Sequence, residues 1–240
     1  MTTSRPFATA VLLSLAALVY SAWVMEVVLP TALHPARTYV SELAATDQPY
    51  TTLFRTADLV AGALAAAAAI LLSVPTRTRM RTRTRPRRGP VARTGAAALL
   101  LFGVATAVDS RLPLSCTPTT DPECATRETA GLVPWAHDAH TVSSTIALCA
   151  ILVAMATLTR TVRHGPALLA LELAATAWTL AAIAALETGH DGWGLGIAQR
   201  LQVGVIAIWL GVLAVSLLRA PTHDAPLPAH RPLREADVRP

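Results

Sequence analysis

Six runs of apolar residues, parted by shorter polar segments, set the pattern of the chain: 8–30, 56–75, 94–113, 140–158, 166–186 and 201–218. Each is about 18–23 residues long, enough for a helix rising 1.5 Å per residue to cross a hydrocarbon core roughly 30 Å thick. Strands of a membrane barrel would alternate lipid-facing and lumen-facing residues, and the run 63–72 shows no alternation. The pattern predicts an all-α membrane protein, a bundle of six transmembrane helices. Arg5 ahead of the first run suggests a signal peptide, but the run is too long and no small-x-small site follows it cleanly, so it is expected to stay as a helix.

Residues 1–219 thus read as one transmembrane domain. The tail 220–240 has five prolines and little apolar content, which predicts a disordered cytoplasmic segment. The Thr-Arg run 76–88 is low in complexity and reads as a solvated anchor against anionic lipid headgroups. No internal repeat is evident.

Composition supports lipid as the solvent: 53% of residues are hydrophobic, 15% are charged, and mean hydropathy is +0.47, whereas a soluble domain carries about a quarter charged residues. The net charge of +5 does not point to nucleic acid, because the twenty basic residues, all Arg, gather at the ends of the apolar runs. Fifteen fall on one side, among them Arg5, the arginines of the loop between the second and third runs, Arg160, Arg163 and Arg219. Five fall on the other: Arg37, Arg55, Arg111, Arg127 and Arg200. The asymmetry predicts that both termini are cytoplasmic and that the protein is a multi-pass protein of the inner (plasma) membrane.

The loops opposite the arginine-rich side carry more varied chemistry. Within them, Tyr39-Val40-Ser41-Glu42-Leu43-Ala44, Asp47-Gln48-Pro49-Tyr50 and Leu53-Phe54-Arg55 with Asp58 form one set of motifs. Asp109, Cys116, Asp121 and Cys124 form another, followed by His137-Asp138-Ala139-His140 and Ser143-Ser144. Gly194-Leu195-Gly196 then precedes Gln199-Arg200-Leu201. In these motifs the chain resembles a prokaryotic polytopic membrane family known as domain of unknown function 998, over nearly everything outside the Arg-rich loop and the tail. The resemblance implies a compact bundle of about six helices and implies no activity, since the family has none assigned.

Candidate chemistry follows from depth in the membrane. Glu26, Asp58, Asp109, His137, His140, Glu187, His190, Gln199, Arg200 and Gln202 all fall near the same ends of the six runs. Charge inside a membrane helix costs several kcal/mol unless paired or hydrated, so such a layer marks a candidate site. Interfacial salt bridges, Asp58 or Asp109 with a nearby arginine, would explain part of it without any function. The histidines are harder to explain that way. His137 and His140 sit three apart, about 60° around a helix, with Ser144 one turn deeper on that face.

An imidazole pair so placed can bind a metal such as zinc, with Asp109 and His190 completing the shell, or relay protons. Polytopic hydrolases of the alkaline ceramidase and adiponectin-receptor type use Ser, Asp and three His around zinc. They also carry a His-x-x-x-His pair that this sequence lacks, so the likeness is one of inventory. Asp109, His137, His140, Ser144 and Asp58 are the candidate catalytic residues, and Glu42, Gln199 and Arg200 the candidate substrate-binding ones, Arg200 toward an anionic headgroup. Cys116 and Cys124, eight apart in one outside loop, are expected to form a disulfide, and Cys149 to be a small buried apolar residue. The reading that follows is a membrane-embedded enzyme acting on a lipid or other amphiphile at the extracytoplasmic face. A non-enzymatic lipid- or partner-binding protein, or a small transporter, is the competing class. Scarce polar residues at the midplane argue against transport.

Overall fold

The computed structural model describes residues 4–74, 89–190 and 192–219; the tail and the Thr-Arg run, with the expectations placed on them, lie outside these. The described residues form seven α-helices and two short 3-10 helices, with no strand. In chain order they are α1 (Ser4–Tyr20), a 3-10 helix Ala22–Val27, a 3-10 helix Val40–Ala44, α2 (Thr51–Ser73), α3 (Pro90–Asp109), α4 (Pro122–Thr129), α5 (Trp135–Leu158), α6 (Gly165–Glu187) and α7 (Leu195–Arg219). All but α4 supply spans long and apolar enough to cross a membrane, six in number, the first running on through the 3-10 helix to Val27.

Helix starts follow local chemistry. Prolines open α3, α4 and α6 in the first turn, where a missing N–H is harmless. The Asp121 carboxylate accepts the Glu123 amide at 2.9 Å and caps α4. Several helix bounds differ from the apolar pattern, among them the starts of α2 at Thr51, α3 at Pro90 and α7 at Leu195, and two have evident local causes. α5 begins at Trp135 rather than His140, because Pro134 takes the extended conformation of a cap and the polar Trp135–Thr141 stretch is already helical. α1 ends at Tyr20, where the Ser21 hydroxyl bonds back to the Ala17 carbonyl at 2.9 Å and the chain tightens into 3-10 winding that buries Glu26.

The spanning helices form a closed ring in the order α1, α2, α3, α5, α6, α7, with α7 packed back on α1. Small residues let α2 and α3 approach closely: a Cβ on Gly62 would lie 2.5 Å from the Gly103 carbonyl oxygen. The seam between α5 and α6 is the loosest of the ring. Away from the loop-rich end the interior is filled by Leu13, Leu99, Phe102, Ile151, Met155, Trp209 and Leu213. Leu18, Leu101, Val142, Leu180 and Ile208 point outward, the apolar exterior that lipid requires. Cys149 belongs to that exterior and is exposed, contrary to its expected burial.

At the loop-rich end, two polar loops fold over the ring. The second carries α4 and the Cys116–Cys124 disulfide. Glu42, fully buried, joins the loops by accepting the Tyr39 amide at 3.1 Å, the Thr119 amide at 2.8 Å and the Thr119 hydroxyl at 2.5 Å. Thr46 adds bonds to the Leu114 and Ser115 carbonyls, each at 2.9 Å.

Candidate functional site

Beneath these loops lies a cavity of about 420 Å³ reached by all six spanning segments. α2 contributes Asp58, α3 Asp109, α5 His140 and Ser144, α6 Thr176 and Thr179, and α7 Gln199 and Gln202. Tyr20 at the end of α1 and Trp23 from the 3-10 helix complete the lower wall, and Tyr39, Leu114 and Pro118 form the roof. Gln199 fixes that roof by accepting the Val40 amide at 2.5 Å.

The most ordered polar group is Asp109 with His140. His140 Nδ1 stands 3.2 Å from Asp109 Oδ1 and 3.0 Å from the Leu112 carbonyl. Both neighbours are acceptors, so Nδ1 carries a proton and Nε2, which bonds no described residue, is the free nitrogen of the ring. The Ser143 hydroxyl donates to Asp109 Oδ1, and the Ser144 hydroxyl donates to the His140 carbonyl at 2.5 Å. Ser143, not the Ser144 chosen from the sequence, makes the contact with Asp109. At i+3 and i+4 from His140 either serine reaches the same face, and α3 takes the first of them.

Deeper in, Gln202 donates to the Thr176 hydroxyl at 2.8 Å. The Thr179 hydroxyl and the Trp23 indole N–H are buried without a partner among the described residues. Asp58 forms no hydrogen bond or ion pair with a described residue. Tyr20, Trp23 and Glu128 were not candidates from sequence. An aromatic at a helix end is commonplace, and Glu128 sits in a loop whose path the pattern does not give.

Other expected site residues are placed elsewhere. His137 is 1% exposed and turned toward the second loop, where Nδ1 accepts the Ser115 amide at 3.1 Å and meets its hydroxyl at 3.0 Å. Its Nε2 approaches Glu128 at 3.5 Å. His190 is exposed beyond the end of α6, its Nδ1 3.3 Å from the Thr188 hydroxyl. His137, His140, His190 and Asp109 therefore do not share a coordination shell, and among the described residues no three His, Cys, Asp or Glu side chains gather to hold a metal. The physical reason is that His190 lies past the end of α6, which packs loosely on α5, while the second loop claims His137 for itself.

Arg200, expected to meet an anionic headgroup, lies outside the cavity lining and is consumed internally. Its Nε and Nη2 donate to the two oxygens of Glu26, each at 2.6 Å, and Nη1 donates to the Thr38 and Gly196 carbonyls at 2.8 and 3.1 Å. Glu42 likewise supports the loops and does not line the cavity. Burial pushes its carboxyl above the usual range, against the lowering effect of the Thr119 and Tyr39 hydrogen bonds. The Tyr39 phenol, also raised by burial and by the nearby carboxylates of Glu128 and Glu42, is pushed up to about 12.

A ring of six apolar helices around a cavity of mixed polar and apolar lining, closed at one end by a disulfide-bearing loop, defines a polytopic membrane protein. Of the motifs noted above, Tyr39, Phe54, Asp58, Asp109, His140 and Gln199 line the cavity. The chain belongs to the family described as protein of unknown function (DUF998), whose model matches residues 14–216. No curated protein and no solved structure matches it.

Proposed function

We propose that this protein is a membrane-embedded enzyme using the Asp109–His140 pair as an acid–base catalyst on a lipid or other amphiphile. One observation carries the reading: Asp109 and the Leu112 carbonyl hold His140 Nδ1–H, which leaves Nε2 as the acceptor in a cavity inside the bundle. In that role Nε2 takes a proton from a water or substrate hydroxyl, and Asp109 stabilises the imidazolium that forms. Ser143 holds Asp109, and Ser144 and Asp58 contact the substrate. No metal is needed for these steps.

The cavity opens, in this reading, to the extracytoplasmic side of the inner (plasma) membrane, with both termini in the cytoplasm. The Arg asymmetry supports that orientation, as does a disulfide on the loop over the cavity, where an oxidising compartment would keep it. Membrane lipids are then both solvent and source of substrate. One feature favours the non-enzymatic alternative, transport of a proton or cation. Glu172, four residues below Thr176 on α6, is 0% exposed with both carboxylate oxygens unpartnered among the described residues.

The test is lipid profiling. Wild-type protein and His140→Gln, each reconstituted with a total lipid extract, are compared by mass spectrometry. The wild type should convert at least one species, and the variant should lose about 10²–10⁴-fold in rate, the usual worth of a general base. Identical profiles from the two would sink the enzyme reading and leave the binding or transport class.

A further inference from the structure

The charge of the cavity points to the charge of its ligand. Four carboxylates line it or its rim: Asp58, Asp109, Glu128 and Glu187. Among the described residues no arginine lines it, and the one basic side chain that does, His140, is already held by Asp109. A carboxylate at the edge of a membrane interior is costly without a counter-charge or a proton, and Asp58 has no partner among the described residues. Three aromatic side chains, Tyr20, Trp23 and Tyr39, share the same wall and roof, and aromatic faces attract organic cations. Thr179, 5% exposed, aims a hydroxyl with no partner among the described residues into the same space. These groups suit an alkylammonium head, and repel a phosphate or carboxylate one.

The route is set by the ring. α5 and α6 touch least, and Thr145 of α5 and Leu180 of α6 are both exposed on the outer surface and part of the cavity lining. An opening there faces lipid. We infer that the cavity binds the ammonium head of a cationic amphiphile, which enters sideways between α5 and α6 with its tail left in the bilayer. The inference builds on the reading of this cavity as a binding site, but does not require His140 to act as a base.

Binding of radiolabelled dodecyltrimethylammonium to the full-length protein in neutral maltoside micelles tests it. Saturable binding of about one probe per chain is expected, displaced by dodecylamine and not by dodecyl phosphate. Asp58→Asn, nearly isosteric, should weaken binding at least tenfold, and Glu187→Gln, at the exposed rim, several-fold. Thr145→Trp should slow association at least tenfold, because the new ring fills the seam. Non-saturable binding, displacement by dodecyl phosphate, or equal affinity in both acid variants would overturn the cation assignment; an unchanged association rate in Thr145→Trp would overturn the lateral route. Saturable binding without any lipid turnover leaves this inference standing and removes the enzyme. Turnover of an anionic lipid without probe binding does the reverse.

Discussion

Glu42 shows how a charged side chain near a site can serve the architecture instead of the ligand. Its carboxylate accepts from Tyr39 on its own loop and from Thr119 on the next, closing the roof of the cavity. Because burial raises its folded-state value above the unfolded one, the folded chain binds the proton more tightly. Its contribution to stability is therefore full in acid and is lost as pH rises from the ordinary carboxylate range through the raised value. The melting midpoint of the detergent-solubilised protein should fall as pH rises above the ordinary carboxylate range, and Glu42→Gln should flatten that slope. A wild-type slope unchanged by Glu42→Gln would assign the effect to another group. Arg200 and Glu26 make the same point with opposite charges, since a buried pair stripped of one partner costs about 3–5 kcal/mol.

At the scale of the helix, close approach and winding decide what the cavity contains. Gly62 and Gly103 let α2 and α3 touch backbone to backbone, which brings Asp58 and Asp109, on those helices, to one cavity. A side chain at residue 103 would place its Cβ 2.5 Å from the Ala66 amide nitrogen, and backbone cannot yield as a flexible side chain would. Gly103→Leu should therefore force the helices apart and cost about 1–3 kcal/mol or more, read as a lowered unfolding midpoint in denaturant. Gly211 is the control: nothing lies within 4 Å of its added Cβ, so Gly211→Ala should be neutral or stabilising by about 0.5–1 kcal/mol. Equal losses at both positions would refute the tight α2–α3 contact. The early start of α5 has a similar consequence, placing His137 and His140 inside regular helix with separate partners.

For the whole molecule, the alternating helices put the end of α2, the start of α3 and the end of α7 on one side, and α4 with the disulfide on the other. Reporter fusions after Arg85 and at the C-terminus should give cytoplasmic signals, and a fusion at Asp121 an outside one. A cytoplasmic signal at Asp121 would place the cavity on the opposite face and remove the outer-leaflet substrate from consideration.

The number and rough position of the spanning helices were legible because lipid demands about twenty apolar residues in a row, a one-dimensional requirement that local sequence meets or fails. So was the polar layer at one end of the runs, since depth along a helix is simple counting. Partnership within that layer was not legible. Arg200 finds Glu26 across 174 residues, Glu42 finds Thr119 across 77, and His137 turns to Ser115 across 22. Hydrophobic periodicity tells which way a helix faces but not which loop folds over its end or which neighbour stands off. The loose α5–α6 seam and the paths of two polar loops, set by the packing of all six helices together, left Asp109 with His140 in the cavity and took Arg200, His137 and His190 out of it.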